Sequence, residues 1–441
     1  MNSITIQPLT KPLNAVAVPP GSKSITNRAL ILAAISGGTT VLNNVLDAED
    51  TQVMSAALQQ IGVARSEGTG TDITEIYVGN SGTTARFLTA MLAFTPGKYR
   101  LYGKPRMHER PIRDLVDALK HWNANIEYEN NNGCPPLIVN SGQQAAENED
   151  PLITSVTGNV SSQFLSALLL SAPLAAQNCQ RQGAEIRLTG ELVSKPYIEM
   201  TLAMMKSFGV EPVVTDNFSS FRFPKGTTYR PPKVYDIEPD ASAASYFFAA
   251  AAVAGGSIIV NGLSKNSLQG DVAFVNALER MGCAVEWKTT SITVKRSPEQ
   301  KLRGITVDMN SYSDTVQTLA AVALFADGAT EIMNVEHIRF KETDRIAAVA
   351  AELRKFGAAV EERRDGLRIT PPKQLQPASV ATYDDHRMAM SFAVAGLKIT
   401  GVVIQDPDCV QKTFPNFFEV FPSGALSHKS VLSAIGGKFI F

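Results

Sequence analysis

The 441-residue chain has little cysteine, almost no net charge and no long apolar run, and each shortage closes off a class of protein. Its four cysteines, Cys134, Cys179, Cys283 and Cys409, stand far apart with no Cys-x-x-Cys pair, which argues against a zinc knuckle or a redox dithiol and suits a reducing cytoplasm. A net charge of −1 leaves no global field to draw the chain to nucleic acid or an anionic membrane, so neither partner is expected and anion binding has to be local. The longest apolar stretches, Phe164 to Ala176 and Ala243 to Ala254, fall short of the roughly 20 residues that span a bilayer and read as buried core helices. No charged segment followed by an apolar one opens the sequence, so no export signal is expected and the cytoplasm is the expected location. Familiar nucleotide and nucleophile motifs are missing too. No Gly-x-Gly-x-x-Gly follows a strand pattern, Gly21-Ser22-Lys23-Ser24 lacks the earlier glycine of a P-loop, and no Gly-x-Ser-x-Gly elbow occurs.

What is present is an ordinary globular composition, 44% apolar and 19% charged, in a chain long enough for two domains of about 200 residues each. A small-residue apolar helix, a glycine-containing turn and a short β-branched strand recur six times, about 60 to 80 residues apart. The helices are expected to begin near Asn27, Thr84, Ser162, Ala241, Asp314 and Arg387. Their strands include Thr40-Val41-Leu42, Tyr99-Arg100-Leu101, Glu185 to Leu188, Ser257 to Val260, Thr330-Glu331-Ile332 and Val402-Val403-Ile404. In most units a second helix ends in a left-handed cap, at Gly62, Gly209, Gly282 and Gly357, with Trp122-Asn123-Ala124 replacing it in the second unit. The sixth unit is hard to close after Phe421. Pro19-Pro20 and Pro231-Pro232 bracket half of the repeats and impose stiff, extended chain. Three repeats per half give a domain from 22 to 233 inserted into another made of 1–21 and 234–441, with the active site expected in the cleft between them.

Polar residues gather at the starts of the repeated helices: Ser22-Lys23-Ser24, Asn80-Ser81-Gly82-Thr83, Ser161-Ser162-Gln163, Asp240-Ala241-Ser242, Ser313-Asp314 and Asp384-Asp385-His386-Arg387. Each can be read as an N-cap alone. Together they are potential anion cradles, because free N–H groups and the helix dipole favour negative charge there. Lys23, Arg28, Arg86, Arg106, Arg110, Lys341, Arg345, Arg387 and Lys412 cluster around the same positions, where planar guanidinium groups suit carboxylate and phosphate. So many cations imply more than one bound anion. Asp314, Lys23, Glu342 and His386 are acid–base candidates, since each adjoins a helix start and a cation able to shift its pKa. For Glu342 the plainer reading is an ion pair with Arg345, and Asp384-Asp385-His386 lacks the second histidine a metal site would want.

The segment Pro20-Gly21-Ser22-Lys23-Ser24-Ile25-Thr26-Asn27-Arg28-Ala29 resembles the opening motif of the 5-enolpyruvylshikimate-3-phosphate synthases. Gly79 to Arg86, Lys104 to Ile112, Ser161 to Leu165, Val193 to Tyr197, Gly270-Asp271, Lys341 to Arg345, Asp385 to Met390 and Lys412 to Pro415 resemble later motifs of that family, in order, from about residue 4 to 420. The resemblance implies an inside-out α/β barrel in each of two domains, three βαβαββ repeats around a pseudo-threefold axis, and a monomer. It also implies transfer of the enolpyruvyl group of phosphoenolpyruvate to the 5-hydroxyl of shikimate 3-phosphate in aromatic amino-acid biosynthesis, releasing phosphate without metal or organic cofactor. On that resemblance Asp314, Glu342 and Lys23 are catalytic. Shikimate 3-phosphate would meet Lys23, Ser24, Arg28, Ser161, Ser162, Gln163, Ser194, Tyr197, Asp314, His337 and Lys341. Phosphoenolpyruvate would meet Lys23, Asn80, Gly82, Arg110, Gln163, Arg345, His386, Arg387 and Lys412.

Some positions depart from the family pattern. His337 stands where many members have Asn, Phe87 follows Arg86 where Pro is frequent, and the connection from Arg65 to Val78 is short. The tail from Ser423 to Phe441 resembles nothing in the family. The alternatives weighed are the sister transferase acting on UDP-N-acetylglucosamine and a non-catalytic anion-binding protein of the same fold. The first is disfavoured because Gly103 to Arg110 carries no cysteine, the second by the presence of Lys23, Asp314 and Glu342 together.

Overall fold

The computed structural model describes residues 2–67, 73–141, 150–159, 161–178, 182–215, 217–421, 430–433 and 437–440. By its contacts the chain divides into two compact units, Lys23–Ile237 with Lys438–Phe441, and Met1–Ser22 with Glu238–Gly437. The passage near the second proline pair falls later than the prolines themselves indicate. Val234–Asp236 pairs in parallel with Val41–Val45, so that strand stays with the inserted unit and the passage comes at Ile237 and Glu238. The last four residues likewise fall with the inserted unit rather than with the rest of 234–441.

Each unit holds three of the repeated helices: α1 (Lys23–Ile35), α2 (Gly82–Leu92) and α3 (Ser162–Asn178) in one, α4 (Ala241–Ala254), α5 (Val316–Ala323) and α6 (His386–Gly396) in the other. Within each unit the three pack against one another pairwise. They are small-residue or apolar on all sides, and every residue of α2, α4, α5 and α6 is buried, which fits helices enclosed rather than lying on a surface. The strands alternate instead: Leu152–Thr157 buries every second residue, as expected of a sheet with one face on a core. Helices inside and sheets outside is the arrangement the composition of these segments dictates.

Four repeats share one sheet plan. Ile73–Tyr77 runs parallel to Gly97–Tyr102, which is antiparallel to Leu137–Ser141, itself antiparallel to Ile126–Tyr128. The same order joins Leu152–Thr157, Gly183–Thr189, Ser220–Pro224 and Val213–Val214. It recurs with Leu13–Val18, Gly256–Asn261, Ser291–Arg296 and Ala284–Trp287, and again with Thr306–Asp308, Thr330–Met333, Gly366–Thr370 and Ala359–Arg363. The sixth repeat, which the sequence alone leaves open, is closed by the N-terminal strand: Ser3–Thr5 lies antiparallel to Val403–Gln405, which runs parallel to Ser379–Val380.

Two local expectations shift. Helices α1 and α2 begin at Lys23 and Gly82, a few residues ahead of Asn27 and Thr84, which brings Lys23 and Gly82 into the first turns. Gly62 is no cap: the helix Glu49–Glu67 runs through it. Gly209, Gly282 and Gly357 do cap, with φ of 80°, 111° and 90°, and Asn123 takes the same left-handed role at 63°.

Candidate functional site

In the inserted unit one cation of the repeated helices, Arg28, rests on neutral groups. Arg28, on α1, is buried and donates from Nε to Thr201 Oγ1 at 2.8 Å and from its Nη atoms to Ser24 O at 3.0 Å, Ser166 Oγ at 3.1 Å and Tyr197 O at 3.4 Å. Its guanidinium also faces the rings of Phe87, at 5.2 Å, and Tyr197, at 5.9 Å. Burial draws its pKa down to about 10, with the Tyr197 hydroxyl opposing, so the group stays charged at neutral pH. Lys23 lies 3.4 Å from the Asp50 carboxylate, a partner outside the residues expected at the site.

The second helix start is built around Gly82. Ser81 caps it, accepting from Thr84 N at 3.3 Å. Arg110 Nη1 donates to Asn80 O at 2.9 Å and to Asn80 Oδ1 at 3.3 Å, while Arg86 Nη2 holds Pro111 O at 2.8 Å. A Cβ on Gly82 would press into the guanidinium of Arg110 and come within 2.8 Å of Arg86 Nη1, so only glycine lets Arg110 lie over this turn. At the third start Ser161 Oγ accepts from Gln163 N at 3.2 Å, beside buried Ser162, and the Gln163 amide reaches Thr83 Oγ1 at 3.3 Å, joining α3 to α2. Ser194, left-handed with φ 52°, precedes the helix Lys195–Ser207 and accepts from Tyr197 N at 3.0 Å.

In the other unit the candidate residues converge into one interlocked centre. Arg345, 1% exposed, grips three carboxylates: Asp385 from Nε at 2.8 Å, Glu342 from Nη2 at 2.9 Å and Asp314 from Nη1 at 3.2 Å. Arg387 Nη2 donates to Asp314 Oδ2 at 2.8 Å, Lys341 Nζ is 3.6 Å from Asp314, and Lys412 Nζ is 3.7 Å from Glu342. The three acids belong to a 3-10 turn ahead of α5, the loop before the helix Arg345–Lys355 and the cap of α6, so the fold and not sequence proximity gathers them. Glu342 therefore does make the ion pair with Arg345, and Asp385 spends its oxygens on Arg345 and on the Arg387 N–H at 2.9 Å. His386 is buried with Nδ1 3.7 Å from Asp385 Oδ1.

Ser242 and Asp271 join this centre without being among the expected catalytic and binding residues, whereas His337 is one of those. Ser242 Oγ donates to Asp271 Oδ2 at 2.7 Å and accepts from Arg387 Nη2 at 3.4 Å. Burial, seconded by the charge of Asp314, lifts the Asp271 carboxyl to about 6. His337 Nε2 lies 2.8 Å from Ser313 Oγ, and burial with the positive charge of Lys341 pushes its pKa down to about 4, so it stays neutral near pH 7. Ser242, Asp271 and Asp385 stand in helix starts and motifs visible in the sequence, but their parts in this centre depend on partners far away in the chain.

Buried carboxylates held by a shared guanidinium in one unit, and the buried Arg28 on neutral partners in the other, are each arrangements suited to proton-handling or anion-binding chemistry on a repeat-built α/β scaffold. The chain belongs to the EPSP synthase (3-phosphoshikimate 1-carboxyvinyltransferase) family, whose sequence pattern it matches over residues 8–421. It is 47% identical over 440 residues to the 3-phosphoshikimate 1-carboxyvinyltransferase of Vibrio vulnificus, covering 96% of this chain and 99% of that one. It is 46% identical over 436 residues to the enzyme of that name from Yersinia pestis, covering 96% and 98%. Two EPSP synthase structures from Acinetobacter baumannii share the fold, the two-domain inside-out α/β barrel: one has TM-score 0.75 at 23% identity and full coverage of both chains, the other TM-score 0.74 at 23% with 95% and 97% covered.

Proposed function

We propose that the chain transfers the enolpyruvyl group of phosphoenolpyruvate to the 5-hydroxyl of shikimate 3-phosphate and releases inorganic phosphate. The observation that carries this reading is Arg345 holding Asp314 and Glu342 on one guanidinium at 3.2 and 2.9 Å, because the reaction needs two separate proton-handling groups. Asp314 takes the proton of the attacking hydroxyl as its oxygen bonds to C2 of phosphoenolpyruvate. Glu342 delivers a proton to C3, turning the methylene into a methyl and giving a tetrahedral adduct. Loss of a proton from that methyl and departure of phosphate restore the double bond.

Arg110, Arg345, Arg387, Lys412 and Lys23 offset the charge of phosphoenolpyruvate, about three negative charges, with Asn80, Gly82, Gln163 and His386 completing its surroundings. Ser161, Ser162, Ser194 and Tyr197 receive the shikimate phosphate. Ser24, Arg28, Gln163, His337 and Lys341 receive the ring hydroxyls and carboxylate. Lys23 contacts both substrates.

Asp314→Asn keeps the shape of the centre and removes the base. Coupled phosphate release should fall by about 10²- to 10⁴-fold while both substrates still bind in calorimetry. Undiminished turnover would remove Asp314 from the mechanism, and turnover with UDP-N-acetylglucosamine in place of shikimate 3-phosphate would overturn the assignment.

A further inference from the structure

Among the described residues, the first repeat has no hairpin after its second helix. In the four complete repeats the second helix ends at His121, Ser207, Arg280 and Lys355, and a hairpin follows whose last strand ends at Ser141, Pro224, Arg296 and Thr370. That strand always lies antiparallel beside the repeat's central strand. In the first repeat the second helix ends at Glu67 and the next repeat's opening strand starts at Ile73. Five intervening residues cannot supply two strands and a turn. The central strand Val41–Val45, paired on one side with Val234–Asp236, is thereby deprived of its usual neighbour on the other.

The sixth repeat meets the same shortage by borrowing, with Ser3–Thr5 in the antiparallel slot beside Val403–Gln405. The chain's other end offers a second donor. Gly437–Ile440 is hydrogen-bonded on the open side of Val41–Val45, in a sheet ordered Val234–Asp236, Val41–Val45, Gly437–Ile440. The preceding strand, Ser430–Ser433, runs parallel to Leu13–Val18 from Ala15 opposite Ser430 to Val18 opposite Ser433. Phe439 and Ile440 are good strand formers. The family match stops at Phe421, so these strands lie outside it.

We propose that segment 437–440, hydrogen-bonded on this edge of Val41–Val45, acts as a donor strand in place of the hairpin the first repeat lacks, so that the edge is a docking site for an extended peptide whose occupant is the chain's own tail. The consequence reaches α1. Leu46, directly after the receiving strand Val41–Val45, donates its N–H to Thr26 Oγ1 at 3.2 Å, and Thr51 Oγ1 donates to Leu46 O at 2.6 Å, so the end of that strand is tied to the helix that carries Lys23 and Arg28. The tail is a positioning element for that helix and takes no part in the chemistry.

Hydrogen exchange tests this without reference to any reaction. In the full chain, amides of residues 42–45 and 438–440 should be protected. Deleting residues 422–441 should speed exchange at 42–45 by at least about tenfold, and adding a synthetic peptide of residues 430–441 should restore protection. Lys438→Pro with Phe439→Pro in the full chain is the second variant, which keeps the test open should truncation prevent folding. Successive N–H groups point to opposite sides of a strand, so one of these prolines must remove a donor facing Val41–Val45. Faster exchange confined to 42–45 supports the docking. Unchanged exchange there in the double-proline variant, or a folded truncated chain that neither loses protection nor binds the peptide, overturns it.

Discussion

The two units use one fold to opposite electrostatic ends, and the places where their helices meet show it. Where α4, α5 and α6 meet, three hydroxyls bond to one another, Ser245 to Thr318 at 3.1 Å and Thr318 to Ser391 at 3.2 Å. Where α1, α2 and α3 meet, Arg28 reaches Ser166 on α3 and the face of Phe87 on α2. The first unit thus keeps its helix junction neutral and gathers its charges around Arg345, where acids and bases compensate one another. The second places a cation at the junction and supports it with hydroxyls, carbonyls and rings. A compensated centre is suited to moving protons between fixed groups, while a cation without a carboxylate partner is suited to binding an anion that arrives from outside.

The contrast breaks most easily at Arg345. Arg345→Met would leave Asp385, fully buried, and its two neighbours without their common counter-charge, and a buried pair broken on one side costs about 3–5 kcal/mol. Urea unfolding should show a loss of that size alongside loss of turnover. A loss below about 1 kcal/mol would mean the carboxylates are not held as charges.

The same contrast predicts that pH sensitivity between about 4 and 6.5 lies in the compensated unit. His337 titrates at about 4 in the folded chain against about 6.5 unfolded, so below pH 6.5 the unfolded state takes up a proton the native state refuses, and stability falls with falling pH down to about 4. Asp271 titrates at about 6 against about 3.8, so the native state keeps a proton the unfolded state releases, and stability falls as pH rises from about 4 through 6. Each is worth no more than about 3.5 kcal/mol. His337→Asn should remove the rising arm of stability with pH and Asp271→Asn the falling one. Coincident curves for both variants and the parent would deny these two groups their place in the balance.

Much of this was legible in the sequence because it depends on local pattern. The six small-residue helices, the strands after them and the left-handed turns at Gly209, Gly282 and Gly357 follow from periodicity and from glycine's freedom at positive φ. Gly62 misled because a glycine within a helical pattern looks the same whether the helix stops or continues through it. The site divides the same way. Arg345, Asp314 and Glu342 were visible beside helix starts, but that Asp385 completes the grip on Arg345, and that Ser242 joins Asp271 to Arg387, depends on contacts 29 to 145 residues apart in sequence. The strand closing the sixth repeat lies at the opposite end of the chain, where no local pattern can place it.

Arg28 tests the other side of the comparison. With only neutral supports, Arg28→Met should change stability by no more than about 1 kcal/mol, while affinity for the anionic substrate falls about 10- to 100-fold, measured by calorimetry at fixed salt. A stability loss matching that of Arg345→Met would erase the distinction between the units.

The smallest effect is expected where the anion-binding unit relies on space rather than charge. Gly82→Ala keeps every cation but sets a methyl group against Arg110 and within 2.8 Å of Arg86 Nη1. Because φ at residue 82 is not left-handed, alanine brings no backbone strain, and as a better helix former it should leave the melting temperature unchanged or slightly raised. Arg110 must move off the helix start, loosening its bond to Asn80 O. The KM for phosphoenolpyruvate should then rise about tenfold, the equivalent of about 1.4 kcal/mol, with kcat little changed. A KM equal to the parent's would show that Arg110 positions no substrate charge, and the unit's claim to bind its anion through preset cations would rest on Arg28 and Lys23 alone.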